Sequence, residues 1–173
     1  MELITDLKEV ERRASQMWEE NQRLRETLRG RPQEETRALV DRISREVAAQ
    51  IDCRTCANCC KALTIHPKPP DIKRLSDHLA MDPFEFRQKY LKKDFEGDLV
   101  FKQRPCPFLK QNKCSVYEGR PETCRSYPHL ESEHMRGRGW YILENTFICP
   151  IVLNTYEALR RHLIEEPGPA LGL

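Results

Sequence analysis

The stretch Asp52-Cys53-Arg54-Thr55-Cys56-Ala57-Asn58-Cys59-Cys60-Lys61 places four thiols in eight positions and decides how the rest of the chain is read. Free cysteines often serve as small apolar core fillers. Here polar side chains interleave them, which a core element would not tolerate. A disulfide framework fits poorly too. Adjacent Cys59 and Cys60 are awkward to bridge, and eight cysteines in 173 residues fall below the density of a small secreted scaffold. Coordination remains. Cysteines two residues apart can aim both sulfurs at one metal, as zinc knuckles do. The run Cys53-x₂-Cys56-x₂-Cys59 has the rhythm that gives a [4Fe–4S] cluster three ligands, with a fourth from a distant cysteine often followed by proline. Cys106-Pro107 and Cys149-Pro150 offer that distant ligand, and Cys114 and Cys124 complete the eight. No second C-x₂-C knuckle exists, so the spacing favours iron over a zinc ribbon while leaving zinc open.

Upstream, residues 1–50 contain no cysteine or histidine and carry balanced charge. Leu3, Leu7, Val10, Ala14, Met17, Asn21, Leu24 and Leu28 alternate spacings of four and three, an a/d seam with one polar member, Asn21. Gly30 and Pro32 separate this helix from a second over about 33–51, whose stripe is Val40, Ile43, Val47 and Ile51. The pair is expected either to fold back as a hairpin on its own domain or to join a second copy or a protein partner through the first helix.

Downstream, Pro67, Pro69 and Pro70 should end any regular element after Ile65. A helix over 71–79 capped by Asp71 and another from Asp82-Pro83 to about Leu91 are expected next. Residues 98–103 read as a strand, 104–130 as loops with one helical turn, and 140–143 as a strand after a turn at Gly137 and Gly139. A last helix over 150–164 would show Ile151, Tyr156, Leu159 and Leu163, followed by a disordered tail. The fold class is therefore mainly α with short irregular β: a coiled-coil-like helical hairpin (1–50), a loop-rich cysteine-cluster metal-binding domain (51–166) and a tail (167–173).

Several functions are excluded. None of the seven glycines forms GxGxxG or GxxxxGK[ST], so dinucleotide and P-loop cradles are absent. A net charge of +2 does not mark a nucleic-acid binder. No apolar run approaches the roughly 20 residues of a membrane span. The first residues have neither a basic nor an apolar leader character, so a cytoplasmic location with reduced thiols is expected. His66, His78, His129, His134 and His162 are scattered; His129 or His134 could at most replace one cysteine at iron. Six bases against two acids over 102–125 suit an anionic centre, and Arg120 and Arg125, flanking Cys124, are candidates to lie beside it.

CxxCxxCC at 53–60, Cys106-Pro-Phe-Leu109, Cys114-Ser-Val-Tyr117-Glu-Gly-Arg120-Pro-Glu-Thr-Cys124-Arg125-Ser-Tyr-Pro128 and Cys149-Pro150 resemble the CxxCxxCC cysteine-cluster family (YkgJ type), described as a zinc- or iron-chelating domain. The resemblance implies that Cys53, Cys56, Cys59, Cys60, Cys106, Cys114, Cys124 and Cys149 are metal ligands. It also implies that Tyr117, Arg120, Pro121, Arg125, Tyr127 and Pro128 frame the site. Relatives are commonly labelled iron–sulfur-cluster proteins, and a similar pattern occurs in flagellin lysine methylases. The expectations are an iron–sulfur redox or electron-transfer protein, a zinc-stabilised interaction module (Zn2+), or an accessory subunit or enzyme of protein modification. No glycine-rich cofactor loop supports the last.

Overall fold

Asp6 accepts hydrogen bonds from the amides of Lys8 (3.1 Å) and Glu9 (3.0 Å) and so starts α1, Leu7–Gln16. The computed structural model describes residues 2–130 and 139–165. After Met17, α2 spans Trp18–Gly30, and the extended backbone of Arg31 and Pro32 leads into α3, Gln33–Ala48. The single first helix expected from the seam is thus divided at Met17. Hydrogen bonds into and out of that residue still link the halves (Met17 N to Arg13 O, 3.0 Å; Asn21 N to Met17 O, 2.8 Å).

Two short helices, α4 (Cys53–Cys56) and α5 (Asn58–Ala62), carry the clustered cysteines, and Ala57 between them sits in the left-handed region at φ 52°. Helix α6 spans Pro69–His78 and α7 Pro83–Tyr90. Strand β1 (Leu91–Lys93) pairs antiparallel with β2 (Leu99–Phe101), and β3 (Leu109–Lys110) with β4 (Lys113–Cys114). Then come α8 (Glu122–Ser126), α9 (Gly139–Glu144) running into a 3₁₀ turn at Asn145–Phe147, and α10 (Pro150–Arg160) with a terminal π turn over Arg161–Glu165.

Three local expectations need correction. The helix expected to start at Asp71 starts at Pro69, because a proline in the first helical turn removes only an amide that has no intrahelical partner. Asp71 is accordingly the third residue of that helix, not its cap. Residues 140–143 are helical, not a strand. Trp140 Nε1 donates to Glu144 one turn on (3.1 Å), and Ile142 and Leu143 are buried side by side. The turn placed at Gly137 and the tail over 167–173 lie outside the described residues.

The described chain divides into two compact units, residues 53–127 and the helices on either side of them, 2–52 with 128–130 and 139–165. In the helical unit, α1, α2 and α3 all pack on α10. That helix is buried along nearly its whole length, including Ile151, Val152, Leu153, Tyr156 and Leu159. The last helix, grouped by the sequence reading with the cysteine-rich part, therefore supplies the surface on which the N-terminal seam closes. Val10, Ala14, Leu24 and Leu28 of the seam are buried, as are Leu39, Val40, Ile43 and Val47 of α3. The Asn154 side chain accepts from Ile4 N (2.9 Å) and donates to Ile4 O (2.8 Å), and Glu157 receives Arg13 and Arg160 together. Trp18 meets Trp140 edge-on at 5.6 Å and Phe147 at 5.5 Å.

The cysteine-bearing unit is built on Ile65, Ile72, Leu75, Phe86, Leu91, Phe101, Phe108 and Val116. Phe108 is its hub, 4.9 Å from Tyr90 and 5.4 Å from Phe101 between ring centroids. Cys106, Cys114 and Cys124 pack against this core, so the site and the core share a wall. Among the described residues, no helix is long and apolar enough to cross a membrane.

Candidate metal centre

Cys53 and Cys56 stand three apart on α4, hence on one face of that turn, and α4 lies along β4, the strand that ends at Cys114. The left-handed Ala57 then reverses the chain, with Cys60 N bonding to Ala57 O (3.1 Å), and α5 presents Cys59 and Cys60. The carbonyl of Cys60 accepts the amide of Cys106 (2.8 Å), pinning the Cys106-Pro107 segment to α5. Gln111 and Asn112, both at positive φ, make the two-residue turn between β3 and β4. That turn type suits the twist of a tight hairpin, and it returns the chain so that Leu109 pairs with Cys114. Cys124 sits in α8, whose start is held by the bond of its amide to Pro121 O (2.9 Å).

Seven of the expected ligands therefore lie in one unit. Cys53 is exposed, and Cys56, Cys59, Cys60, Cys106, Cys114 and Cys124 are partly buried. Cys149 is buried in the helical unit at the N-terminus of α10, where its amide bonds to Asn145 O (2.8 Å). His129 also belongs to the helical unit, and His134 lies outside the described residues.

The thiols of Cys60, Cys106, Cys114 and Cys124 feel one another. Burial pushes Cys124 up to about 12, and the charges that Cys60, Cys106 and Cys114 would carry as thiolates add to the rise. Burial likewise raises Cys106 to about 11, with Cys60 and Cys114 adding to it, while the amides of Phe108 and Leu109 pull the other way. Cys114 is raised by burial and relieved by the Val116 amide. Cys60 goes down to about 7, chiefly through its hydrogen bond with the Cys59 side chain, aided by Lys61. Four sulfurs that cannot all ionise alone, each part-buried, are what a bound cation relieves: it replaces the protons and cancels the mutual repulsion. At Cys106 and Cys114 the amide two residues on faces the sulfur, an arrangement that stabilises metal-bound thiolate. The donor set suits a thiolate-bound metal by its chemistry; among the described residues no three of these four sulfurs lie within 4.8 Å of one another.

Of the framing residues named from the sequence, Tyr117, Arg120 and Arg125 are linked to one another, whereas Pro128 belongs to the helical unit. Arg120 stacks over the Tyr117 ring, its guanidinium carbon 3.6 Å from the centroid, and its charge favours the thiolates of Cys114 and Cys124. Its carbonyl accepts from Arg125 Nε (3.2 Å) and Arg74 Nη2 (3.0 Å), while Arg125 Nη2 reaches Glu118 O (2.7 Å). Tyr117 and Arg125 thus act on the backbone and on Arg120, the cation whose charge bears on Cys114 and Cys124.

Asp71 is the residue sequence reading misplaced. Its carboxylate, 3% exposed as a residue, accepts from Lys68 N (3.0 Å) at the start of α6, from Arg74 Nη2 (2.6 Å) and from Glu122 N (3.0 Å) at the start of α8. One buried carboxylate therefore fixes the helix that carries Cys124. The available signal was Asp71 three residues before Arg74, a helical ion-pair spacing.

No solved structure matches this chain. Residues 52–150, more than half of it, match the family model CxxCxxCC, described as a putative zinc- or iron-chelating domain. The match covers all eight cysteines and the framing segment, and the chain belongs to this CxxCxxCC family of zinc- or iron-chelating domains.

Proposed function

We propose that the unit over 53–127 holds a thiolate-ligated iron–sulfur centre and that the protein works by moving electrons or sensing oxidants in the cytoplasm. The observation that carries this reading is the mutual coupling of Cys60, Cys106, Cys114 and Cys124, drawn from four separate segments and backed by amides at the sulfurs. Such amide contacts and partial burial are the means by which proteins tune iron–sulfur centres. Bound there, the cluster would supply one-electron redox chemistry. The chain itself supplies the ligands, the cation Arg120 that offsets anionic charge, and the Phe108 wall that limits water on one side. Cys53, Cys56 and Cys59 extend the ligand set, and the contact between Cys59 and Cys60 allows a second centre to share that edge.

Zinc is the second reading, since four thiols from four segments also suit a closed tetrahedral site. The two separate cleanly. A redox centre gives a coloured protein that bleaches with dithionite and regains its spectrum on reoxidation. A zinc module is colourless and redox-silent, and a chelator unfolds residues 53–127, because structural zinc contributes folding energy directly.

A further inference from the structure

Away from the cysteines, the chain brings His66, Asp94 and Asp98 together: one ligand atom from each lies within 4.8 Å of the other two. Two segments make this possible. Ile65 O accepts the amide of Phe101 (3.3 Å), which lays the residues after α5 beside β2 and sets His66 against the β1–β2 hairpin. The hairpin closes one step beyond the Lys93–Leu99 pair, where Asp94 N bonds to Asp98 O (2.9 Å) and Gly97 takes the turn at φ 89°. Asp94 Oδ1 is used inside the turn, accepting from Glu96 N (3.0 Å) and Asp98 N (2.9 Å). Its Oδ2 faces His66 Nδ1 at 3.8 Å, beyond hydrogen-bond reach.

We propose that His66, Asp94 and Asp98 form a second, thiol-free site for a divalent first-row cation such as Mn2+ or Zn2+. Donors bound to one such ion at about 2.0–2.2 Å stand roughly 3–4 Å from each other, so the observed spacing needs little adjustment. The donor set selects the class of ion. An imidazole with two carboxylates suits first-row divalent cations better than Ca2+ or Mg2+, which favour oxygen alone. Three protein ligands, two on the hairpin and one from the segment beside it, leave positions for water or an oxyanion. This site stands independently of the iron–sulfur reading, because it uses none of the cysteines.

Manganese is the probe, because thiolate sites take it poorly and its free-ion electron paramagnetic resonance signal vanishes on binding. Protein with its cysteine centre loaded is titrated with MnCl₂. The expected result is one manganese per chain at concentrations below about 1 mM, with selective broadening of the His66 imidazole resonances. His66→Gln and Asp98→Asn should each weaken binding at least about tenfold, as loss of one ligand does. Asp98 enters the turn only through its backbone, and the His66 side chain is half exposed, so both variants should keep the wild-type circular dichroism. Absence of binding up to that concentration, or equal binding by wild type and both variants, overturns the proposal.

Discussion

Replacing Asp71 should loosen the metal centre without touching a ligand. The carboxylate joins Lys68 N, Arg74 and Glu122 N. A hydrogen bond to a charged partner contributes about 1.5–3 kcal/mol, and each neutral amide about 1 kcal/mol. Arg74, whose side chain is 31% exposed, recovers part of its loss by hydration. Asp71→Ala should therefore cost about 3 kcal/mol, and Asp71→Asn, which retains one acceptor for the amides, about half that. Both tryptophans, Trp18 and Trp140, lie in the helical unit, so fluorescence would miss this change. The assay is urea-induced metal release, followed by the absorbance of the bound metal or of a chelator dye. The expected order of midpoints is wild type, Asp71→Asn, Asp71→Ala. If Asp71→Ala releases its metal at the wild-type midpoint, the carboxylate does not position α8 and the argument fails.

Glu157 offers a pH test. Burial alone would raise its carboxyl, but the bonds from Arg160 and Arg13 prevail and hold it below 4.5. A depressed carboxyl contributes stability that is present above its unfolded value and lost as pH falls through the folded one. The helical unit should therefore weaken below about pH 4.5, and Glu157→Gln should remove that portion of the acid dependence, read by tryptophan fluorescence. Glu157→Ala leaves the buried Arg160 with Glu165 alone (Nε to Oε1, 2.8 Å) and should cost about 2 kcal/mol at neutral pH; no measurable loss would contradict it. Asn21 is fully buried in the helical unit with neither amide atom bonded to protein. Asn21→Leu should therefore raise thermal stability by about 1 kcal/mol, and marked destabilisation would mean that the amide has a partner such as a buried water. A Cβ on Gly119 would stand 3.1 Å from the Cβ of His78, so Gly119→Ala should destabilise by about 1–3 kcal/mol in chemical denaturation, and a neutral result would refute that packing.

Much of the scaffold was legible because it rests on local periodicity. Val10, Ala14, Leu24 and Leu28 of the seam and the Val40–Val47 stripe are buried as their spacing implies, with Leu7 and Met17 half-buried, and Asp82-Pro83 begins α7 with its carboxylate on Phe84 N at 2.8 Å. What escaped depends on long-range packing. Nothing local shows that α10 would cover α1, α2 and α3, because a helix buried on every side carries no single stripe. Trp140–Leu143 has the β-branched and aromatic texture of a strand, yet tertiary packing and the Trp140–Glu144 bond favour a helix. At the site, the cysteines were legible as residues, but their grouping was not. The coupling of Cys60 with Cys106, Cys114 and Cys124 follows from the Cys60–Cys106 backbone bond and the Gln111–Asn112 turn. Asp71 was hidden because its partner Glu122 lies far along the chain.

The central claim is tested most directly by the iron, zinc and acid-labile sulfide content per chain of protein purified without oxygen. The account predicts iron with near-equal sulfide, both lost in Cys106→Ser and Cys124→Ser. Stoichiometric zinc without sulfide would contradict it and make these cysteines the ligands of a structural site.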